Sequence, residues 1–308
     1  MFRIVPDTNI DFIGKRKAAF ALSAILVILG IVALVMVFTG KANLGIDFAG
    51  GVMIQGHFDQ PVAIEELRSA LSSEFPDVQV TKVEDFEVPN AFIIKTKRPE
   101  DEAAGEARLN RITEIVETTF VGNTFTRVSS HVIGPAVGET LRRDAQWAVI
   151  ISLLGILVYI AVRFDFRSGV AATIATFHDV LAVLGIMILL GKEFDLLLIV
   201  ALLTLAGYSL SDTVVIFDRI RENFKKYRGK SQYVSAVNLS INETLARTIN
   251  TSLTVLIVVA ILFVFGGEVL RNFSLALILG VLIGTYSSVF IASPIVVEWE
   301  ARSPRRFK

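Results

Sequence analysis

No cysteine occurs anywhere in the 308 residues, which excludes disulfides, thiol nucleophiles and cysteine-bearing metal sites. Charge is scarce as well: 19% of the residues are Asp, Glu, Lys or Arg, against 53% hydrophobic. That balance lies outside the soluble globular range and points to an integral membrane protein. The 30 bases and 30 acids cancel, so net charge identifies no partner. The basic residues stand beside apolar runs and form no readable patch, so a nucleic-acid partner is not expected. His57 and His131 have no second ligand at metal spacing, and neither a metal nor a bound cofactor is expected.

What the sequence does contain is a set of long apolar runs. Residues 1–17 are polar and end in Lys15-Arg16-Lys17. Residues 18–39 then form a first uncharged run, about the length that crosses ~30 Å of hydrocarbon. A signal peptide would be shorter and followed by a small-residue cleavage site, so the run reads as a retained helix, with a cleaved signal as the plainer alternative. Further spans are expected at about 145–162, 169–190, 194–217, 246–265 and 270–294, making the chain an α-helical polytopic membrane protein with six transmembrane helices. A polar loop at 218–245 and a tail at 295–308 complete the membrane part, 144–294. The bases at 15–17, Arg163 and Arg167, the 219–230 cluster and the tail all fall on one side of this arrangement. By the positive-inside rule that side is the cytoplasm, with both termini there and residues 40–143 outside.

Residues 40–143 have the composition of a soluble domain. Asp47–Phe58 alternates like a strand, and Pro61–Phe75 places Ile64, Leu67 and Leu71 on one helical face. Val78–Val83 and Ala91–Thr96 are β-rich and flank the turn signal Pro89-Asn90. Pro99–Phe120 reads as a helix with an acidic first turn, Glu100-Asp101-Glu102, and Thr124–Val132 as a last strand. This βαββαβ order predicts a small α+β ferredoxin-like domain between helices 1 and 2.

The residues that carry chemistry lie within the apolar runs. Asp212 stands some five residues from the end of its span, or ~8 Å in at 1.5 Å per residue. With Thr204, Tyr208 and Ser211 it falls at i, i+4, i+7 and i+8, one helical face. His178-Asp179 sits near the middle of the third span. The purely apolar part of the fifth, Leu253–Phe265, is too short for a bilayer that needs about 20 residues. Ala246–Ser252 must therefore enter the membrane, bringing Arg247, Asn250 and Thr251, with Thr254 beyond. A polar stripe at that spacing must face protein or water. Arg247 is the expected ion-pair partner of Asp212, so that loss or gain of a proton at Asp212 would change helix packing. The plainer readings are a snorkelling Asp212, an Arg247 that only anchors its helix, and a His178–Asp179 pair that only joins helices. Gly280, Gly284, Ser288 and Ala292 recur every four residues in the sixth span and predict a tight helix interface, within the chain or with a partner.

Gly45-Ile-Asp-Phe-Ala-Gly-Gly51, His178-Asp179-Val180, the long run Gly207–Asn223, Leu245-Ala-Arg-Thr248 and Phe265-Gly-Gly267 together resemble the SecF family of bacterial protein-export membrane proteins. The likeness extends over essentially the whole chain; Ser211 departs from it, standing where many members carry Asn. The resemblance implies a multi-pass protein of the bacterial cytoplasmic membrane and no enzymatic activity. It implies a pseudo-symmetric complex with SecD, of the resistance-nodulation-division superfamily. Further implied partners are the SecYEG channel and SecA, with YajC and YidC as associates, and unfolded preprotein on the outer side. Proton motive force would drive export, with Asp212 and Arg247 at positions implicated in proton passage. His178, Asp179, Ser211 and Thr251 complete the expected pathway set, and a carboxylate among hydroxyls suits Na⁺ as well as H⁺. Three other readings stand beside this one. A small-molecule exporter half would need a larger external domain, and a non-conducting scaffold would need no ion path. An aspartyl protease pair of Asp179 and Asp212 would need a Gly-x-Gly-Asp motif, whereas Ser209-Leu210-Ser211 precedes Asp212.

Overall fold

The computed structural model describes residues 8–83, 89–97, 102–226 and 233–303. Pro99, Glu100 and Asp101, the end of the 219–230 cluster and the tail beyond residue 303 lie outside them. A 3₁₀ turn, Ile13–Lys15, leads into α1 (Arg16–Phe38). A four-residue helix α2 (Ile46–Ala49), β1 (Gly51–Phe58), α3 (Ile64–Ser72), β2 (Gln79–Val83), β3 (Ala91–Lys97), α4 (Glu102–Thr119) and β4 (Phe125–Ile133) follow. The rest is helical: α5 (Pro135–Arg163), α6 (Phe166–Leu189), α7 (Leu196–Lys226), α8 (Tyr233–Phe265), α9 (Gly267–Ser287), a π-helical turn Ser288–Ala292, and α10 (Ser293–Arg302). Among the described residues, six helical stretches are long and apolar enough to cross a membrane.

The four strands form one antiparallel sheet in the order β2-β3-β1-β4. Alternation along β1 turns Val52, Ile54 and Phe58 to one face, where they meet Phe92 and Ile94 of β3. Leu67 and Leu71 of α3 and Leu109, Ile112 and Val116 of α4 close over them. Phe58 is the centre of this core, in ring contact with Phe92, Phe120 and Phe125.

The expected strand from Asp47 begins only at Gly51, because Ile46–Ala49 makes a helical turn instead. Gly50 leaves that turn with φ 71°, a region costly for any residue with a Cβ. At Gly51 a Cβ would stand 2.5 Å from the Thr96 carbonyl oxygen. The turn aims Asp47 at the start of α7, where its Oδ2 accepts the Leu196 N–H at 3.0 Å. Asp195 Oδ1 accepts the Leu198 N–H at 2.7 Å. Two carboxylates thus satisfy amide donors at the positive end of a long helix, as capping and the helix dipole favour. Phe48 packs on Phe194, the Phe194 carbonyl accepts the Gly45 N–H at 2.9 Å, and Lys95 of β3 pairs with Glu193 at 2.8 Å. The Asp47-Phe48 and Gly-Gly motifs are therefore the joint between the sheet domain and the bundle.

Three expected boundaries move. Residues 135–143, assigned to the external domain, are the first turns of α5, which starts with Pro135 in its first turn, where a missing N–H costs nothing. The expected loop 218–245 is mostly helix, as α7 runs on to Lys226 and α8 begins at Tyr233. The sixth span changes register, with the π turn directly ahead of Pro294, which has no N–H to continue an α ladder.

In the bundle α6, α7 and α9 are central. Ala171, Ala172, Ala175 and Ala182 of α6 are wholly buried, and such small side chains let neighbouring backbones approach. α1 crosses α6 where Gly30 faces Gly185, a Cβ on the latter falling 2.7 Å from the Gly30 nitrogen. α1, α5 and α8 turn Ile28, Ile151, Val158, Val258 and Val264 outward, as hydrocarbon solvent requires. At the end of the bundle remote from the sheet, residues 8–14 lie along α8. Asn238 and Asn242 hydrogen-bond their backbone: Phe12 N–H to Asn238 at 3.0 Å, Ile10 N–H to Asn242 at 2.9 Å.

Two outcomes follow from these contacts. Asp47→Ala removes a cap from α7 and is expected to cost about 1 kcal/mol of stability, read as a lower unfolding temperature in detergent. The Gly14 amide, then Asn238, holds the Asp11 carboxyl below its ordinary range. Its support of the strap is complete at neutral pH and is lost as pH falls through that lowered value. The protection of the Phe12 and Ile13 amides, taken relative to their intrinsic exchange rates at each pH, should therefore fall on acidification below about pH 4.

Candidate functional site: two carboxylates inside the bundle

Asp179, on α6, is wholly buried. Ser287 of α9 donates to its Oδ2 at 2.6 Å, Ser209 of α7 donates to the same oxygen, and His178 Nδ1 lies 2.8 Å from Oδ1. One side chain thereby ties three helices. The glycine stripe on α9 makes this reach possible. Gly280 faces Leu205 and Gly284 faces Ser209, each so close that an added Cβ would meet its neighbour at 3.1 Å. The tight interface expected of that stripe lies within the chain, against α7. One turn beyond Gly284, Ser287 meets Asp179, and the π turn starts at the next residue. Ser293 Oγ donates to the Ser288 carbonyl at 2.9 Å, a side-chain bond across the π turn. Both Asp179 oxygens are engaged by these three groups, so an aspartyl pair with Asp212 is not formed. Ser209 and Ser287 were not singled out from the sequence; a serine is ordinary in a membrane helix, and only the packing shows its target.

Asp212, on α7, is 5% exposed, and its Oδ2 is buried without a hydrogen-bond partner among the described residues. The expected ion pair with Arg247 is not made. The reason is helical phase. Ser240, Thr244, Thr248 and Ser252 recur at i+4 on α8 and are the buried face. Arg247, Thr251 and Thr254 lie on an exposed face of the same helix. On α7 the expected common face divides in the same way: Asp212 points inward, Tyr208 is half-buried, and Thr204 and Ser211 are exposed. Arg247 and Ser211 line an open groove of about 750 Å³ between α5, α7 and α8, together with Tyr159, Asp218 and Glu243.

Hydroxyls occupy the inner side of Asp212. Ser252 lies beside its carboxyl. Tyr208 donates to Ser252 Oγ at 3.0 Å, Ser252 Oγ and Thr285 Oγ1 are 2.6 Å apart, and Thr285 donates to the Val281 carbonyl at 2.8 Å. The i+4 hydroxyl stripe on α8 was a readable signal for Ser252. Among the described residues no group of His, Asp and Glu has the arrangement to hold a metal ion.

The two carboxylates differ in how much packing depends on them. Asp179→Ala strands two serine hydroxyls and His178 in the core and should cost about 3–5 kcal/mol, the range for breaking a buried charged network. Asp212→Ala strands fewer groups, so its unfolding temperature should fall less. A reversed order in thermal unfolding would refute the tying role of Asp179.

The chain matches the family model described as "Protein export membrane protein SecD/SecF, C-terminal" over residues 113–302, and the "SecD/SecF GG Motif" over residues 35–62. The protein translocase subunit SecF of Thermodesulfovibrio yellowstonii is 47% identical over 304 residues, covering 96% of this chain and 97% of that protein. The SecF subunit of Vibrio alginolyticus is 37% identical over 300 residues, covering 97% and 92%. The crystal structure of SecDF from Thermus thermophilus, a translocon-associated membrane protein, superposes with a TM-score of 0.78 at 39% identity over 98% of this chain. This chain spans 40% of that longer one. With a multi-pass helical bundle, the Gly-Gly joint at its sheet domain and similarity to translocase subunits over nearly its full length, the chain belongs to the SecD/SecF family of protein-export membrane proteins, among its SecF members.

Proposed function

We propose that the protein works with a SecD subunit to assist preprotein export across the bacterial cytoplasmic membrane, drawing on the proton motive force through Asp212 and Arg247. The observation that carries this reading is the half-built site at Asp212. A buried carboxyl oxygen has no partner among the described residues, while a cation on the adjacent helix faces an open groove. An ionisable group at that depth is expensive and is kept for a function. The groove is open, and in this reading a second subunit supplies its other wall, for which the SecDF neighbour is the model. H⁺ is the coupling ion, with Na⁺ the variant outcome. Each proton crossing yields about 2.3 kcal/mol per 100 mV, to be spent on the emerging chain.

In the same reading the basic ends of the helices lie in the cytoplasm, with both termini, and the sheet domain lies outside. The βαββαβ order and the strand order β2-β3-β1-β4 support a ferredoxin-like fold for it. SecYEG, SecA, YajC and YidC are the surrounding machinery, and the unfolded preprotein is the cargo. His178 and Asp179 serve the pathway by fixing α6, α7 and α9 around it. Ser211 and Thr251 line its open side.

Asp212→Asn, reconstituted with the SecD partner in vesicles, should abolish the export gained from a proton gradient and the accompanying current. Arg247→Lys should retain part of both and Arg247→Met neither, since only a cation can answer the carboxylate. Wild-type export and current in Asp212→Asn would leave a scaffold role.

A further inference from the structure

We infer that Ser252, Tyr208 and Thr285 form a hydroxyl exchange set that supplies Asp212 with a hydrogen-bond partner in both of its protonation states, with no movement of the helices that carry them. The inference rests on the proton-coupling reading of Asp212. It goes beyond it by assigning positioning roles to three residues from three helices.

Tyr208 gives its proton to Ser252, and the Thr285 hydroxyl is within reach of both the Val281 carbonyl and Ser252. A carbonyl can only accept, whereas either hydroxyl can fill the 2.6 Å contact between Ser252 and Thr285. With the Thr285 proton on Val281, Ser252 donates to Thr285 and offers a lone pair to Asp212, beside which it lies; with the Thr285 proton on Ser252, the Ser252 proton is free for the carboxyl. A lone pair suits a protonated carboxyl, whose O–H can donate to it, and repels a carboxylate. Among the described residues the buried Asp212 Oδ2 receives no donor, so the carboxyl has an oxygen to spare for either arrangement. When Asp212 gives up its proton, Ser252 rotates its O–H onto the carboxylate, and Thr285 turns its own from Val281 to Ser252. Every proton but the one released stays on its oxygen, and only hydroxyl rotors move, a ps–ns event. Asparagine, histidine or lysine at position 252 could not serve both states so simply, since only a hydroxyl donates and accepts at the same atom.

The surroundings favour such a set. Ser252 and Asp212 are both more than nine-tenths buried, so water does not readily substitute for a missing donor. The charged and titratable groups that act on Asp212 are Arg247 on α8 and Tyr208 on α7; Glu243 of α8 and Tyr159 of α5 line the groove with Arg247, and the His178–Asp179 pair lies on α6. Arg247 and Glu243 face the groove, and Asp179 is engaged with its serines. On the inner side the hydroxyls are what Asp212 meets. The change of charge at Asp212 is therefore absorbed locally on the α8–α9 side, and is felt across the groove where Arg247 stands.

The test uses the protein with its SecD partner in vesicles and two readouts. Infrared difference spectra on a pH step identify the Asp212 carboxyl band as the one lost in Asp212→Asn. Ser252→Ala should displace that band, and Thr285→Val should displace it less. Both should slow gradient-driven export, Ser252→Ala by about tenfold, the size of one lost hydrogen bond to a charged group. Ser252→Thr, which restores a hydroxyl, should return both readouts towards wild type. An unmoved band with wild-type export in Ser252→Ala overturns the exchange set while leaving proton coupling at Asp212 intact. An absent Asp212 band, with Asp212→Asn fully active, overturns the proton reading and the exchange set together. Slow export with an unmoved band marks Ser252 as a packing residue and refutes its role towards the carboxyl.

Discussion

A polar group placed in hydrocarbon must find its partner inside the protein, and in this chain that constraint is met most completely at Asp179. Its two oxygens take Ser209, Ser287 and His178, and the requirement propagates outward. For the serines to reach it, α7 and α9 must approach closely, which Gly280 and Gly284 allow. Directly after Ser287 the helix shifts into π register, and Ser293 Oγ bonds back across that turn to the Ser288 carbonyl. The alanines of α6 and the Gly30–Gly185 crossing bring α1 against the same core. One buried carboxylate thus accounts for the small residues of three helices.

α7 carries the consequence in both directions. Its first turn is capped by Asp195 and by Asp47, a residue of the loop entering the sheet domain. Sixteen residues on, ~24 Å at 1.5 Å per residue, stands Asp212. Farther along, Asp218 pairs with Arg163 of α5 and Arg219 with Glu243 of α8. A single rigid helix therefore connects the sheet domain, the buried polar residues and the ion pairs at the far end. Tilting the sheet on its joint would load the helix that bears Asp212, since the cap, the Phe48–Phe194 contact and the Lys95–Glu193 pair all converge within a few residues of its start.

Much of this was legible beforehand, for reasons that differ by element. The spans could be read because long apolar runs have few alternatives in water. The sheet domain could be read because its strands alternate and Pro89-Asn90 marks a turn, Asn90 having φ 59°. Asp212 and Asp179 stood out as charges among apolar residues. Helical phase did not: one residue separates Arg247 from Thr248, and about 100° of rotation decides which faces α7. The apolar stretch of α8 is too uniform to set that phase; the i+4 hydroxyls ending at Ser252 carry it, and Tyr208 of α7 and Thr285 of α9 meet that face at Ser252. The polar loop at 218–245 misled for a related reason, since helices that leave the membrane keep their backbone hydrogen bonds while their side chains become polar. The Asp47 cap could not be seen at all, because its partner amide lies about 150 positions away and a backbone amide has no sequence signature.

The contrast between the two carboxylates then bears on which of them works. Asp179 is saturated, and moving its proton would break contacts to three helices at once. Asp212 has one oxygen unanswered, hydroxyls that can donate or accept on one side, and a cation on the other that no described side chain neutralises at ion-pair distance. A site meant only to hold helices together would close this arrangement, because an unmet buried carboxyl is destabilising. Leaving it open is tolerable if a second chain or a proton completes it. On the proposed reading both do so in turn: the proton neutralises Asp212 from within, and the partner subunit supplies the far wall against which Arg247 is held.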